Sequence, residues 1–96
     1  MNEHNFGIFL RTEPNITSPR AITKRISEGR KAENILKASL DIVVSNDDTM
    51  YEALLILRSM EDPAHGPMQN AVRKYYKFVN NKDFPRLKSY HSPKHP

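Results

Sequence analysis

Cysteine is absent from this 96-residue chain, which excludes disulfides, thiolate zinc sites and cysteine nucleophiles. That absence fits a cytoplasmic setting. Glycine occurs three times, at well-separated positions, so there is no glycine-rich loop to cradle a phosphate. No apolar run approaches the roughly 20 residues needed to cross a bilayer. The chain does not open as a signal peptide, because Glu3, His4 and Asn5 precede only a short apolar cluster. The four histidines, His4, His65, His91 and His95, form no His-x3-His pair on a predicted helix. They also lack an acidic partner placed to complete a metal site, so neither metal nor cofactor is expected.

Hydrophobic content of 38% and charged content of 27% suit one small folded domain. We expect it to span residues 1–88, followed by a flexible tail over 89–96, where prolines and histidines replace any apolar period. The net charge is +4, and the signs are unevenly distributed. Residues 19–45 carry six basic and three acidic side chains, and residues 46–66 carry one basic and five acidic. Residues 67–96 carry seven basic and one acidic. Two basic segments around an acidic one can present a basic face to a polyanion.

Apolar spacing predicts an all-α bundle of four or five short helices. Phe6, Phe9 and Leu10 share one face of a helix over residues 5–12, which Glu13-Pro14-Asn15 breaks. Ser18 and Pro19 then read as N-cap and first residue of a second helix. Ile22, Ile26, Gly29 and Leu36 fall on one side of it, and Arg20, Lys24, Ser27 and Lys31 on the other, with Arg25 and Arg30 flanking the basic stripe. Gly29 should cost this helix about 1 kcal/mol relative to alanine, which points to a kink or a close contact. Leu40–Val44 reads as an extended or single-turn connector that plugs its apolar residues into the core. Ser45 is the expected cap of the next helix, whose apolar face is Met50, Leu54, Ile56, Leu57 and Met60. Pro63, Gly66 and Pro67 end it. In the last helix Met68, Ala71, Val72, Tyr75, Phe78 and Val79 follow 3-4 spacing, with Arg73, Lys74 and Lys77 turned outward. Asn80-Asn81 should end this helix, and Phe84 and Leu87 should anchor a fold-back.

Catalytic readings find little support. Tyr75 and Tyr76 could serve as phosphoryl-transfer nucleophiles only beside clustered Arg, His and Lys, and no such cluster stands in the sequence. A buried Tyr75 and a Tyr76 with its hydroxyl at the core's rim account for both. Asp47 and Asp48 are explained by the positive end of a helix dipole. Glu52, Glu61 and Asp62 could act as paired carboxylates only across a cleft, which a 96-residue helical bundle rarely builds. The two basic stripes remain, and their contacts to DNA phosphates would set position more than read sequence.

The order FGIFL, SPRAITKRISEGRKAENIL, LDIV and AVRKYYKFVN resembles the N-terminal core-binding domain of tyrosine recombinases and phage integrases, over about Phe6 to Phe84. The AVRKYYKF run is similar to that family's last helix, and similar helices occur in accessory segments of bacterial restriction and defence proteins. The resemblance implies a SAM-like helical bundle that clamps one side of double-stranded DNA while a separate domain cuts. That catalytic domain is absent from the sequence as given, so no recombinase activity is expected of it. The resemblance carries over as basic positions only: Arg20, Lys24 and Lys31 on the second helix, and Arg73, Lys74 and Lys77 on the last. The acidic third helix leaves a second expectation open, a protein-interaction module of a phage, mobile-element or defence protein.

Overall fold

The computed structural model of the chain describes residues 1–16, 18–62 and 66–91. These form five α-helices: α1 (Glu3–Arg11), α2 (Pro19–Leu36), α3 (Leu40–Val43), α4 (Asp47–Met60) and α5 (Pro67–Asn80). A short 3-10 turn follows over Leu87–Ser89. No β-strand occurs among the described residues, and no helix there is long and apolar enough to cross a membrane. Pro63, His65 and His95 lie outside the described residues, as does the tail from Ser92 onward.

Local chemistry sets most helix ends. The Ser18 side chain accepts from Ala21 N–H, with Pro19 opening α2 as expected. α1 begins two residues earlier than its apolar spacing suggests, because Asn2 caps it by accepting from Asn5 N–H. Ser45 does not cap α4. Its hydroxyl donates to Ile42 O, and the Asn46 side chain instead accepts from Asp48 and Thr49 N–H. The connector Leu40–Val44 contains the one-turn α3, which buries Leu40 and Val43 and is followed by buried Val44. α5 has no cap from its own N-cap residue, Gly66. Glu61 takes that role, accepting from Met68 N–H, Gln69 N–H and the Gln69 side chain. Gly66 leaves the room, since a Cβ there would lie 2.8 Å from Gln69 Nε2.

One apolar core joins the elements. Phe6 and Leu10 of α1, Met50, Leu54 and Leu57 of α4, and Val72, Tyr75 and Tyr76 of α5 are its centre. Ile22, Ile26 and Leu36 of α2 pack against it, and Ala32 is fully buried. Gly29 marks a close contact: a Cβ there would lie 3.1 Å from the Met1 sulfur and 3.4 Å from a Leu40 methyl. The Met1 ammonium, beside that contact, donates to Glu33 at 3.0 Å and lies 3.2 Å from Asp41. Three expected core positions are instead open to solvent: Ile56 is 48% exposed, Met60 58% and Val79 48%. Ile56 and Met60 lie at the edge of the apolar arc of α4, and Val79 lies in the last turn of α5.

α5 ends at Asn81 in the left-handed conformation (φ 60°), and the chain then folds back. Phe84 is buried edge-on against Tyr76, with ring centroids 5.1 Å apart. Leu87 packs on the core as expected. Tyr90, which falls in the segment read as tail, also packs there. Its ring lies 5.2 Å from Phe84 and 5.1 Å from Tyr51, and its hydroxyl donates to Asp48 at 2.5 Å.

Lys37 closes α2 with φ 53°, a left-handed conformation in which a Cβ is strained and glycine is not. Lys37→Gly should therefore raise the unfolding free energy by about 0.5–1 kcal/mol. Thermal unfolding followed by circular dichroism should show the midpoint rising by a few degrees.

Candidate nucleic-acid interface

The orientation of α5 decides where its cations point. Tyr75 is fully buried, and its hydroxyl accepts from Asn2 N–H at 2.9 Å and donates to Asp41. Tyr76, 1% exposed, donates to Asp47 at 2.8 Å. The whole Tyr76 ring thus lies inside, beyond the rim position its sequence suggests. Burial pushes both phenols up to about 12, reinforced by the carboxylates that accept from them. A phenol held that high is a poor nucleophile near neutral pH.

With adjacent tyrosines inward, Lys74 and Lys77 come to one side of the helix. They do not project freely, as the apolar spacing suggests. Both reach Glu13, in the loop after α1, at 2.7 Å for Lys74 and 3.1 Å for Lys77. Glu13 is 7% exposed. A carboxylate this buried needs paired charge. The Lys74 hydrogen bond, supported by Lys77, holds its pKa below the ordinary value against the opposing effect of burial. Arg73 is also engaged. One guanidinium nitrogen donates to Phe84 O at 3.0 Å and Pro85 O at 3.2 Å, and the group lies 5.8 Å over the Phe84 ring.

The remaining expected positions are on α2. Lys31 is exposed and pairs with Glu28 at 3.1 Å. Arg20 and Lys24 are exposed and make no ion pair with a described residue. Three grooves connect Lys24 to the α5 cations. The first is lined by Ala21, Lys24, Arg25, Glu28, Pro67 and Asn70. The second shares Arg25 and Asn70 with it, and adds Arg73, Lys74 and Asp83. The third shares Arg73, and adds Arg58, Gln69, Arg86, Leu87 and Lys88. Lys24 and Lys74 therefore border a common surface, and the band continues to the 3-10 turn. None of these three linings includes Arg20, Lys31 or Lys77.

Arg58, Arg86 and Lys88 are the members that sequence reasoning missed. Arg58 is the single cation of the acidic segment, and Arg86 and Lys88 flank the Leu87 anchor, so none belongs to a helical stripe. The fold-back brings Arg86 and Lys88, and α4 brings Arg58, into one groove with Arg73. Acidic groups elsewhere are engaged in the frame. Asp41, Asp47 and Asp48 accept from tyrosines, Glu33 accepts from Leu40 N–H and the Met1 ammonium, and Glu3 pairs with Arg30. Among the described residues no group of three His, Asp or Glu side chains could hold a metal ion.

No family model, curated protein or solved structure matches the chain.

The lowered Glu13 pKa fixes the sign of one pH effect. Its stabilisation is complete above the ordinary carboxylate value of 4.5 and is lost as pH falls through the lower folded value. Glu13→Gln should reduce the acid sensitivity of the thermal midpoint below about pH 4.5. Replacing Lys74 and Lys77 together by methionine should cost about 3–5 kcal/mol, because the carboxylate stays buried without a partner. Either replacement alone should cost less than half of that, which urea titration of the three variants would measure.

Proposed function

We propose that this chain is a non-catalytic DNA-binding domain that rests duplex backbone across the band running from α2 over α5 to the 3-10 turn. The observation that carries this reading is the continuity of the three grooves through Arg25, Asn70 and Arg73. Glu28 and Asp83 are the only carboxylates lining them, against Lys24, Arg25, Arg58, Arg73, Lys74, Arg86 and Lys88. Guanidinium and ammonium groups bind phosphate oxygens directly, and a row of them releases counterions from a duplex. Arg73 is held by two carbonyls and a ring, so its orientation is set before any ligand arrives. The resemblance to the recombinase core-binding domain points to the same ligand. It also suggests a cytoplasmic protein of a mobile element, engaged in recombination or a related process.

Two of the α5 residues expected to meet phosphates, Lys74 and Lys77, have a prior role in neutralising Glu13. On this reading the phosphate contacts shift to Lys24, Arg25, Arg73, Arg86 and Lys88. Arg20, Lys31 and Lys77 drop out.

A second reading is a protein-docking module. It rests on Ile56 and Met60, which lie one turn apart on α4 and are 48% and 58% exposed.

Fluorescence anisotropy with a short labelled duplex at several salt concentrations separates the two. Five backbone contacts predict a slope of about −4 to −5 in log K against log salt. Affinity should lie near the non-specific range of about 10⁻⁴–10⁻⁶ M at physiological salt. Lys24→Glu with Arg86→Glu should abolish binding without changing the melting temperature, since both side chains are exposed and unpaired among the described residues. Binding that ignores salt and survives this double change would remove the DNA reading.

A further inference from the structure

The third groove differs from the other two. It holds about 350 Å³, within the usual range of ligand clefts. Arg58 comes from the end of α4, Gln69 and Arg73 from α5, and Arg86, Leu87 and Lys88 from the fold-back. Four cations from three parts of the chain thus line one depression, and no carboxylate is among its lining residues. Glu61, bonded to the Gln69 side chain, has both oxygens engaged at the start of α5. Asp83 lines the neighbouring groove, on the Lys74 side of Arg73.

Such a concentration of charge exceeds what one phosphodiester requires. A diester within a duplex carries a single charge and lies along a ridge, which suits a convex or gently grooved surface. A phosphomonoester carries about −1.5 to −2 at neutral pH and presents three free acceptor oxygens. It also stands at a chain end, so it can turn toward these cations without a continuing strand to hold it along a ridge. Arginine forks pair with such a group through two parallel bonds. Arg73 is the preset member. It is half-buried, and two carbonyls fix one of its nitrogens, so little side-chain freedom remains to be lost on binding. Leu87 supplies an apolar wall beside the charges, suited to the sugar that carries the phosphate.

We propose that this groove seats the terminal phosphate of a DNA strand, so that the domain prefers phosphorylated duplex ends to continuous duplex. The proposal rests on the DNA-binding reading and adds an end preference to it.

The test compares two blunt duplexes of the same sequence, one with 5′-phosphates and one with 5′-hydroxyls, each carrying a fluorophore at an internal thymine. The phosphorylated duplex should bind about tenfold more tightly, the worth of one added charge-assisted hydrogen bond. Arg58→Ala and Lys88→Ala, both at exposed positions, should bring that ratio to about one. Lys24→Ala should weaken both duplexes alike and leave the ratio intact. Circular dichroism melts serve as the folding control for each variant. Equal affinity for the two duplexes in the unaltered protein would overturn the end preference and leave the DNA reading standing. A ratio that persists in Arg58→Ala and Lys88→Ala would overturn the groove assignment. Failure of both duplexes to bind would overturn the DNA reading, and the end preference with it.

Discussion

The hydroxyl of Tyr75 is the point on which the rest of the arrangement turns. It accepts from the Asn2 backbone and donates to Asp41, so one phenol ties α5 to the chain start and to α3. Its ring packs against Phe6 of α1, 5.0 Å away and edge-on. A helix held this way cannot rotate about its axis. Every other position on α5 then follows from the helical repeat. Lys74 and Lys77 meet Glu13, Tyr76 enters the core beside Phe84, and Arg73 faces the returning chain.

Carboxylates do much of the joining in this small core. Asp41, Asp47 and Asp48 each receive a tyrosine hydroxyl, and each sits at or near a helix start. They serve the helix dipole and a long-range contact together. Glu61 closes the start of α5 from the preceding turn, and Glu13 gathers two lysines from α5. Acidic groups are thereby drawn into the frame, while Lys24, Arg25, Arg58, Arg86 and Lys88 remain without an ion pair among the described residues. The surface charge follows from this partition more than from the overall balance of +4.

The two histories of the α5 cations show why a charge pattern alone misplaces a site. Residues 73, 74 and 77 look alike in a helical projection: basic, and away from the apolar arc. Their surroundings differ because Glu13 occupies the loop on one side and the carbonyls of Phe84 and Pro85 lie on the other. A lysine facing a buried carboxylate is a structural ion pair. An arginine facing carbonyls keeps its charge available while its orientation is fixed. The proposed band therefore runs through Arg73 and leaves Lys77 aside.

The local chemistry of the chain by itself determined the helices and most of their limits. Ser18-Pro19 opens α2, Asn81 closes α5, and the three-residue spacing of Val72, Tyr75 and Phe78 marks the inner face, because these effects act within a few residues. The same spacing could not separate buried Val72 from half-exposed Val79, since both lie within one wide arc and only the neighbouring helices decide how much of it is covered. Glu61 as the cap of α5 was likewise invisible, because it reaches back across the turn from outside the helix. Long-range pairing decided the rest: which lysines are neutralised, where Arg73 points, and that Arg58, Arg86 and Lys88 share a groove. Those outcomes depend on distances between segments up to 64 residues apart, as between Glu13 and Lys77, and a periodic reading of one helix at a time contains no such distances.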